Sequence, residues 1–69
     1  MERQPVSSTI VTSIGYDTES ATLEVEFVNG SVYQYFDVPE NLHRELIAGP
    51  SAGKIMTSTI IGKFPYARL

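Results

Sequence analysis

Hydrophobic and polar positions follow two different periods along this chain, and the change falls near its middle. Leu23-Glu24-Val25-Glu26-Phe27 alternates strictly, which is the pattern of a strand with one face buried and one wet. Upstream, Ile10-Val11-Thr12-Ser13-Ile14 is rich in β-branched side chains that fit a pleated surface. Between them, Gly15-Tyr16-Asp17-Thr18-Glu19-Ser20 supplies turn chemistry, because Asp and Ser side chains bond to nearby backbone. Asn29-Gly30 is a strong hairpin signal, since both residues tolerate positive φ, and Ser31 to Phe36 returns. The pattern predicts a three-stranded antiparallel meander over residues 9–36.

After Phe36 the apolar spacing becomes helical. Asp37-Val38-Pro39-Glu40 opens a helix, with Asp37 as cap, Pro39 in the first turn and Glu40 three residues past the cap. Leu42 and Leu46 lie at i, i+4 with Ile47 beside them, and the helix runs to about Ala48. Gly49-Pro50 stops it, glycine taking a left-handed cap that proline cannot extend. Ser51 caps a second helix from Ala52 to about Ile61, with Ile55, Met56, Ile60 and Ile61 apolar. Gly53, Thr57 and Thr59 weaken it, and Gly62 closes it. Residues 64–69 form a tail whose aromatics dock on the sheet or the helices, whereas residues 1–7 read as loose. The predicted fold is α+β: the meander, two helices packed on one face and a docked C-terminal tail, in one domain over residues 8–69.

The hairpin register decides which side chains the core receives. A two-residue loop at Asn29-Gly30 places Phe27 opposite Val32 and Val25 opposite Gln34, leaving Tyr33 and Tyr35 on the wet face with Glu24 and Glu26. A three-residue loop with a glycine bulge places Val25 opposite Tyr33 and Leu23 opposite Tyr35. The second register is preferred. It gives a small core aromatic area, buries Tyr33 and Tyr35 against the helices and leaves Glu24, Glu26 and Gln34 exposed. Exposed tyrosines would stack on bases, but two adjacent carboxylates would repel the phosphates.

Sixty-nine residues allow one domain with a thin margin of stability, and with no cysteine no disulfide adds to it. The lack of cysteine suits a reducing cytoplasm, and no apolar run is long enough to span a membrane. The formal charge is −3, unevenly spread. Residues 1–45 carry all eight acids against Arg3 and Arg44, whereas residues 46–69 carry Lys54, Lys63 and Arg68 with no acid. Those cations make a positive face if the fold gathers them. Gly49 to Lys54 imitates a phosphate-binding loop but has three residues between its glycines, a helix before it and Ile55 after the lysine. Ser51-Ala52-Gly53-Lys54 matches a serine-to-lysine catalytic spacing whose companion motifs are missing. What remains there is a helix start beside Lys54, an ordinary cap or at most an anion contact. His43 is the lone histidine, read as a surface helix residue, so no metal site or catalytic set is expected.

One ordered series of residues resembles a known family. Ile14-Gly15-Tyr16-Asp17, Leu23-x-Val25-x-Phe27, Gly30, Tyr33-Gln34-Tyr35, Val38-Pro39, Leu46, Ser51-x-Gly53, Ile60 and Phe64-Pro65-Tyr66 is similar to the KTSC domain over residues 8–69. That family is named for the C-terminal piece of some bacterial lysyl-tRNA synthetases and also occurs as a free-standing bacterial protein. Where members often carry an aromatic residue and an asparagine, this chain has Ile55, Met56 and Thr57. The resemblance implies a small domain of unestablished function and, through the company of a tRNA enzyme, an RNA or tRNA partner. The expected function is a non-enzymatic binding module without cofactor, contacting RNA through Lys54, Lys63, Tyr66 and Arg68. The alternative is a protein-interaction module that uses the sheet edge or its wet face.

Overall fold

In the computed structural model, which describes residues 1–49 and 51–69, the expected meander forms the middle of a wider sheet. Strands β1 (Gln4–Pro5), β2 (Val11–Asp17), β3 (Thr22–Phe27), β4 (Val32–Tyr35) and β5 (Tyr66–Arg68) pair antiparallel in that order. The sheet therefore has five strands, not three. Gln4 pairs with Ile14 and Pro5 with Ser13, although residues 1–7 read as loose. The tail joins as a strand, Tyr66 opposite Tyr35 and Arg68 opposite Tyr33. Pieces of two and three residues carry no alternation to read. They form because β2 and β4 would otherwise present unpaired backbone edges, and Pro5 is tolerated on the outermost strand.

The central hairpin adopts the three-residue loop. Leu23 faces Tyr35 and Val25 faces Tyr33. The Gly30 N–H donates to the Phe27 carbonyl, and the Phe27 N–H to the Ser31 carbonyl, each at 2.9 Å, with Gly30 at φ +92°. In β2 the register shifts between Val11 and Ser13. This bulge turns Val11 and Ile14 to the same buried face although they are three apart. Val11, Ile14, Leu23, Val25 and Tyr35 form the floor of the core. Val38, Leu46, Ala52, Met56 and Ile60 cover it, each fully buried.

Helix α1 spans Glu40–Ala48 with Pro39, not Asp37, at its N-cap, and no side chain caps it. Asp37 instead sits at φ +60°, reversing the chain so that Val38 enters the core and its N–H reaches the Ala21 carbonyl at 3.0 Å. Gly49 ends α1 in extended backbone rather than the left-handed cap, as the residue before a proline tends to do. Pro50 itself, part of the expected stop, lies outside the described residues. Helix α2 spans Ala52–Ile55 and continues as a π-helical segment, Met56–Ile60. The Ser51 hydroxyl caps nothing. The wider winding follows from hydroxyls that bond to the chain itself: Thr57 to the Gly53 carbonyl at 3.1 Å and Ser58 to the Lys54 carbonyl at 2.7 Å. The Ile61 N–H then reaches back five residues to the Met56 carbonyl at 2.8 Å, and Gly62 closes the segment at φ +80°. Among the described residues no helix is long and apolar enough to cross a membrane.

Candidate functional site

Alternation along β4 and β5 brings Tyr33, Tyr35, Tyr66 and Arg68 to the face that carries the helices. Their rings pack as a cluster, Tyr33 to Tyr66 at 5.8 Å, Tyr35 to Tyr66 at 6.0 Å and Tyr33 to Tyr35 at 6.3 Å between centroids. Phe27 meets Tyr33 edge-on at 5.7 Å. The Arg68 guanidinium lies over the Tyr33 ring, 5.8 Å from its centre.

The cluster is graded in exposure. Tyr35 is 4% exposed beneath the helices. Burial pushes its phenol pKa upward, and the neighbouring Tyr33 and Tyr66 add to that. Tyr33 is only half-buried, and Tyr66 is 61% exposed. Tyr33 thus faces the helices as expected but is not mostly covered, because the helical layer ends at Ile61 and Gly62. A hollow of about 580 Å³ opens there, floored by Phe27, Tyr33 and Tyr35 and walled by Ile10, Ile61 and Tyr66. Asn29 and Ser31 line its end at the hairpin turn, and no acidic side chain lines it.

Glu24 and Glu26 lie on the opposite face. Glu24 pairs with Gln34 and Glu26 with Val32. Glu24 and Glu26 were expected to stand in water, yet Glu24 is 7% exposed and Glu26 and Gln34 are half-buried. The N-terminal arm covers them. Arg3 donates to the Glu24 carboxylate at 2.9 Å and approaches Glu26 at 3.7 Å. The Gln34 amide donates to the other Glu24 oxygen at 2.9 Å, and the Ser13 hydroxyl to Glu26 at 3.2 Å. Gly15 lets the arm lie this close, since a Cβ there would stand 2.5 Å from the Glu2 carbonyl oxygen.

The four residues singled out as nucleic-acid contacts do not all meet. Tyr66 and Arg68 join over Tyr33. Lys63 is exposed in the turn directly after Gly62, which lines the hollow, but is not itself among the lining residues. Lys54 lies elsewhere, on a second hollow lined by Ser7 to Ile10, Gly53 and Thr57 and holding no aromatic ring. Phe27, Ile61, Asn29 and Ser31 belong to the first hollow, and the sequence marks them only as strand, helix-end and turn residues. His43 is not a plain surface residue either: its ring stacks on Tyr16 at 4.8 Å, within 10° of parallel. Desolvation lowers its pKa from the ordinary 6.5, Glu40 opposing and Arg44 reinforcing the shift. The Tyr16 hydroxyl in turn donates to the Val38 carbonyl, so the pair holds α1 to the sheet. Among the described residues no cluster of three or more His, Asp or Glu is arranged to hold a metal.

The profile of the KTSC domain matches residues 7–64. The chain belongs to the KTSC domain family. This KTSC domain superposes on the crystal structure of a KTSC domain protein from Yersinia pestis with a TM-score of 0.90 at 40% identity, covering 99% of this chain and 96% of that one. It is 37% identical over 60 residues to a lysine–tRNA ligase of Nostoc punctiforme, a match that takes in 87% of this chain but 11% of the ligase. The KTSC domain is thus similar to a small segment of that much longer protein. It is also 31% identical over 61 residues to a protein of Tsukamurella paurometabola, where the match spans 91% of the relative.

Proposed function

We propose that this KTSC domain is a non-enzymatic binding module that takes single-stranded RNA, or an unpaired stretch of tRNA, in the tyrosine hollow. The observation that carries the reading is the separation of charge across the sheet. Tyr33, Tyr66 and Arg68 share one face, with the exposed Lys63 next in sequence to Gly62 of the hollow, while Glu24 and Glu26 are held on the other face by Arg3. Half-exposed rings let bases stack, and cations free of neighbouring acids track the phosphates. The likeness to a segment of a lysine–tRNA ligase supports an RNA partner, and a cytoplasmic location is part of the same proposal. Lys54 is left out of the contact surface on this reading.

The test is a titration of the isotope-labelled domain with tRNA and with unstructured RNA at low and moderate salt, followed by NMR. Shifts should concentrate at Tyr33, Tyr66, Arg68 and Lys63. A folded sample with no shift at low salt removes the reading. The rival, a protein partner without nucleic acid, draws on the exposed apolar side chains Val28 and Ile61 that line the same hollow.

A further inference from the structure

The turn end of the tyrosine hollow has a polar arrangement that stacking alone does not use. The Asn29 side-chain oxygen accepts two hydrogen bonds, from the Ser31 N–H at 3.0 Å and from the Ser31 hydroxyl. A backbone N–H can only donate, so this contact fixes which end of the Asn29 amide is oxygen. The NH2 end is left to point elsewhere, and it donates to no protein acceptor among the described residues. Ser31 spends its only hydroxyl proton on Asn29, so its oxygen is left as an acceptor. Both residues line the hollow beside the Phe27 and Tyr33 rings.

A fixed donor next to a fixed acceptor, at the edge of an aromatic floor, is the complement of a nucleobase edge. Each base presents an acceptor beside a donor on at least one edge once it is unpaired. A base lying flat against Tyr33 or Tyr66 would direct that edge toward the walls of the hollow, and the hairpin turn is the wall whose amide donor and hydroxyl acceptor are held in fixed orientation. A flexible Asn could offer either end of its amide and would read little. Here the turn that closes the hairpin also orients the reader. We propose that the Asn29 amide NH2 and the Ser31 hydroxyl oxygen read the edge of one unpaired RNA base lodged in the tyrosine hollow. The inference rests on the RNA reading above and adds to it a site of base recognition.

The experiment measures binding of short homopolymeric RNA strands of adenine, cytosine or uracil. It then measures the best-bound strand with its bases replaced by a non-hydrogen-bonding aromatic isostere of the same shape. If the edge is read, the isostere strand binds at least about fivefold more weakly than the natural strand. Ser31→Ala and Asn29→Asp should each bring the two strands within about twofold of one another, because each removes one of the reading groups. Asn29→Asp keeps the oxygen that the turn needs and Ser31→Ala keeps its N–H, so both variants retain the hairpin, which an NMR fingerprint spectrum verifies. Equal binding of natural and isostere strands by the unmodified domain overturns base reading and leaves the stacking function standing. Failure of every strand to bind a folded sample at low salt overturns both.

Discussion

Glu24 stands opposite Gln34 across β3 and β4, and the Gln34 amide donates to its carboxylate at 2.9 Å on the face turned away from the helices. Arg3 takes the other carboxylate oxygen at 2.9 Å. On the proposed reading a phosphate approaching Tyr66 from the helix side would meet Arg68, with Glu24 and Glu26 on the far face of the sheet and already paired to Arg3. The same arrangement ties down the N-terminal arm. Arg3→Ala leaves a largely buried carboxylate with one partner fewer, and the domain should lose roughly 1–3 kcal/mol. The urea midpoint measures it. An unchanged midpoint would show that the Arg3 ion pair adds nothing to stability beyond the backbone pairing of the arm.

Two tyrosines of one cluster should behave oppositely. Tyr35 is nearly fully buried, so Tyr35→Ala should cost about 3–5 kcal/mol. That equals roughly the whole margin of so small a core, and circular dichroism should show a mostly unfolded chain. Tyr66 is mostly exposed, so Tyr66→Ala should stay within about 0.5 kcal/mol of the parent while losing RNA affinity. A folded Tyr35→Ala, or an unfolded Tyr66→Ala, contradicts the burial gradient.

The meander and its register were legible because Leu23, Val25 and Phe27 demand one buried face, and only the bulged loop at Gly30 gives that face its tyrosines. The first helix was legible in its body, through Leu42 and Leu46. Its start was misread, because Asp37 has the chemistry of a cap and the conformation of a turn. β1 and β5 were not legible: two or three residues become strands only when a neighbour's edge is waiting for them. The site was half legible. Tyr66 and Arg68 alternate on one strand, but the distance of Lys54 and the nearness of Asn29 depend on how the turn and the helix end meet in space.

Backbone strain sits at two neighbouring points. Ala21 has φ +54° and Asp37 φ +60°, and the Val38 N–H joins them by its bond to the Ala21 carbonyl. A side chain in left-handed backbone costs about 1–2 kcal/mol, less for Asp than for Ala. Glycine removes that cost but stiffens the unfolded chain less, returning roughly 0.5–1 kcal/mol. Ala21→Gly should therefore raise the thermal midpoint slightly, Asp37→Gly should match the parent and Asp37→Ala should fall below it. If Asp37→Gly instead destabilises as much as Asp37→Ala, the side chain rather than the backbone angle is what Asp37 supplies.

His43 gives the domain a pH dependence of known sign. Desolvation against Tyr16 is the larger influence and holds its folded pKa below 6.5, with Glu40 opposing it and Arg44 adding to it. Below 6.5 the unfolded chain then binds this proton more readily than the folded one, so stability falls as pH falls through that window. His43→Phe keeps an aromatic ring on Tyr16 and removes the proton. Between about pH 7.5 and about pH 5.5 the thermal midpoint of the parent should drop more than that of the variant, the carboxylates being common to both. Parallel curves would show that the imidazole titrates alike in both states.

Salt dependence separates the cations that the fold gathers from the one it does not. Each phosphate neutralised on a single strand contributes about −0.7 to the slope of log affinity against log salt. Arg68 sits over Tyr33 and Lys63 follows Gly62 of the same hollow in sequence, whereas Lys54 lines the hollow without aromatic rings. Two contacts give a slope near −1.4, and three would give about −2.1. Lys54→Glu should leave both the slope and the sites of NMR shift unchanged. Reversing Lys63 and Arg68 to glutamate together should abolish binding with the spectrum of the free domain intact, since both side chains are exposed. A slope near −2.1 that Lys54→Glu reduces would mean that the strand runs past Ile10, which lines both hollows, and continues onto the second.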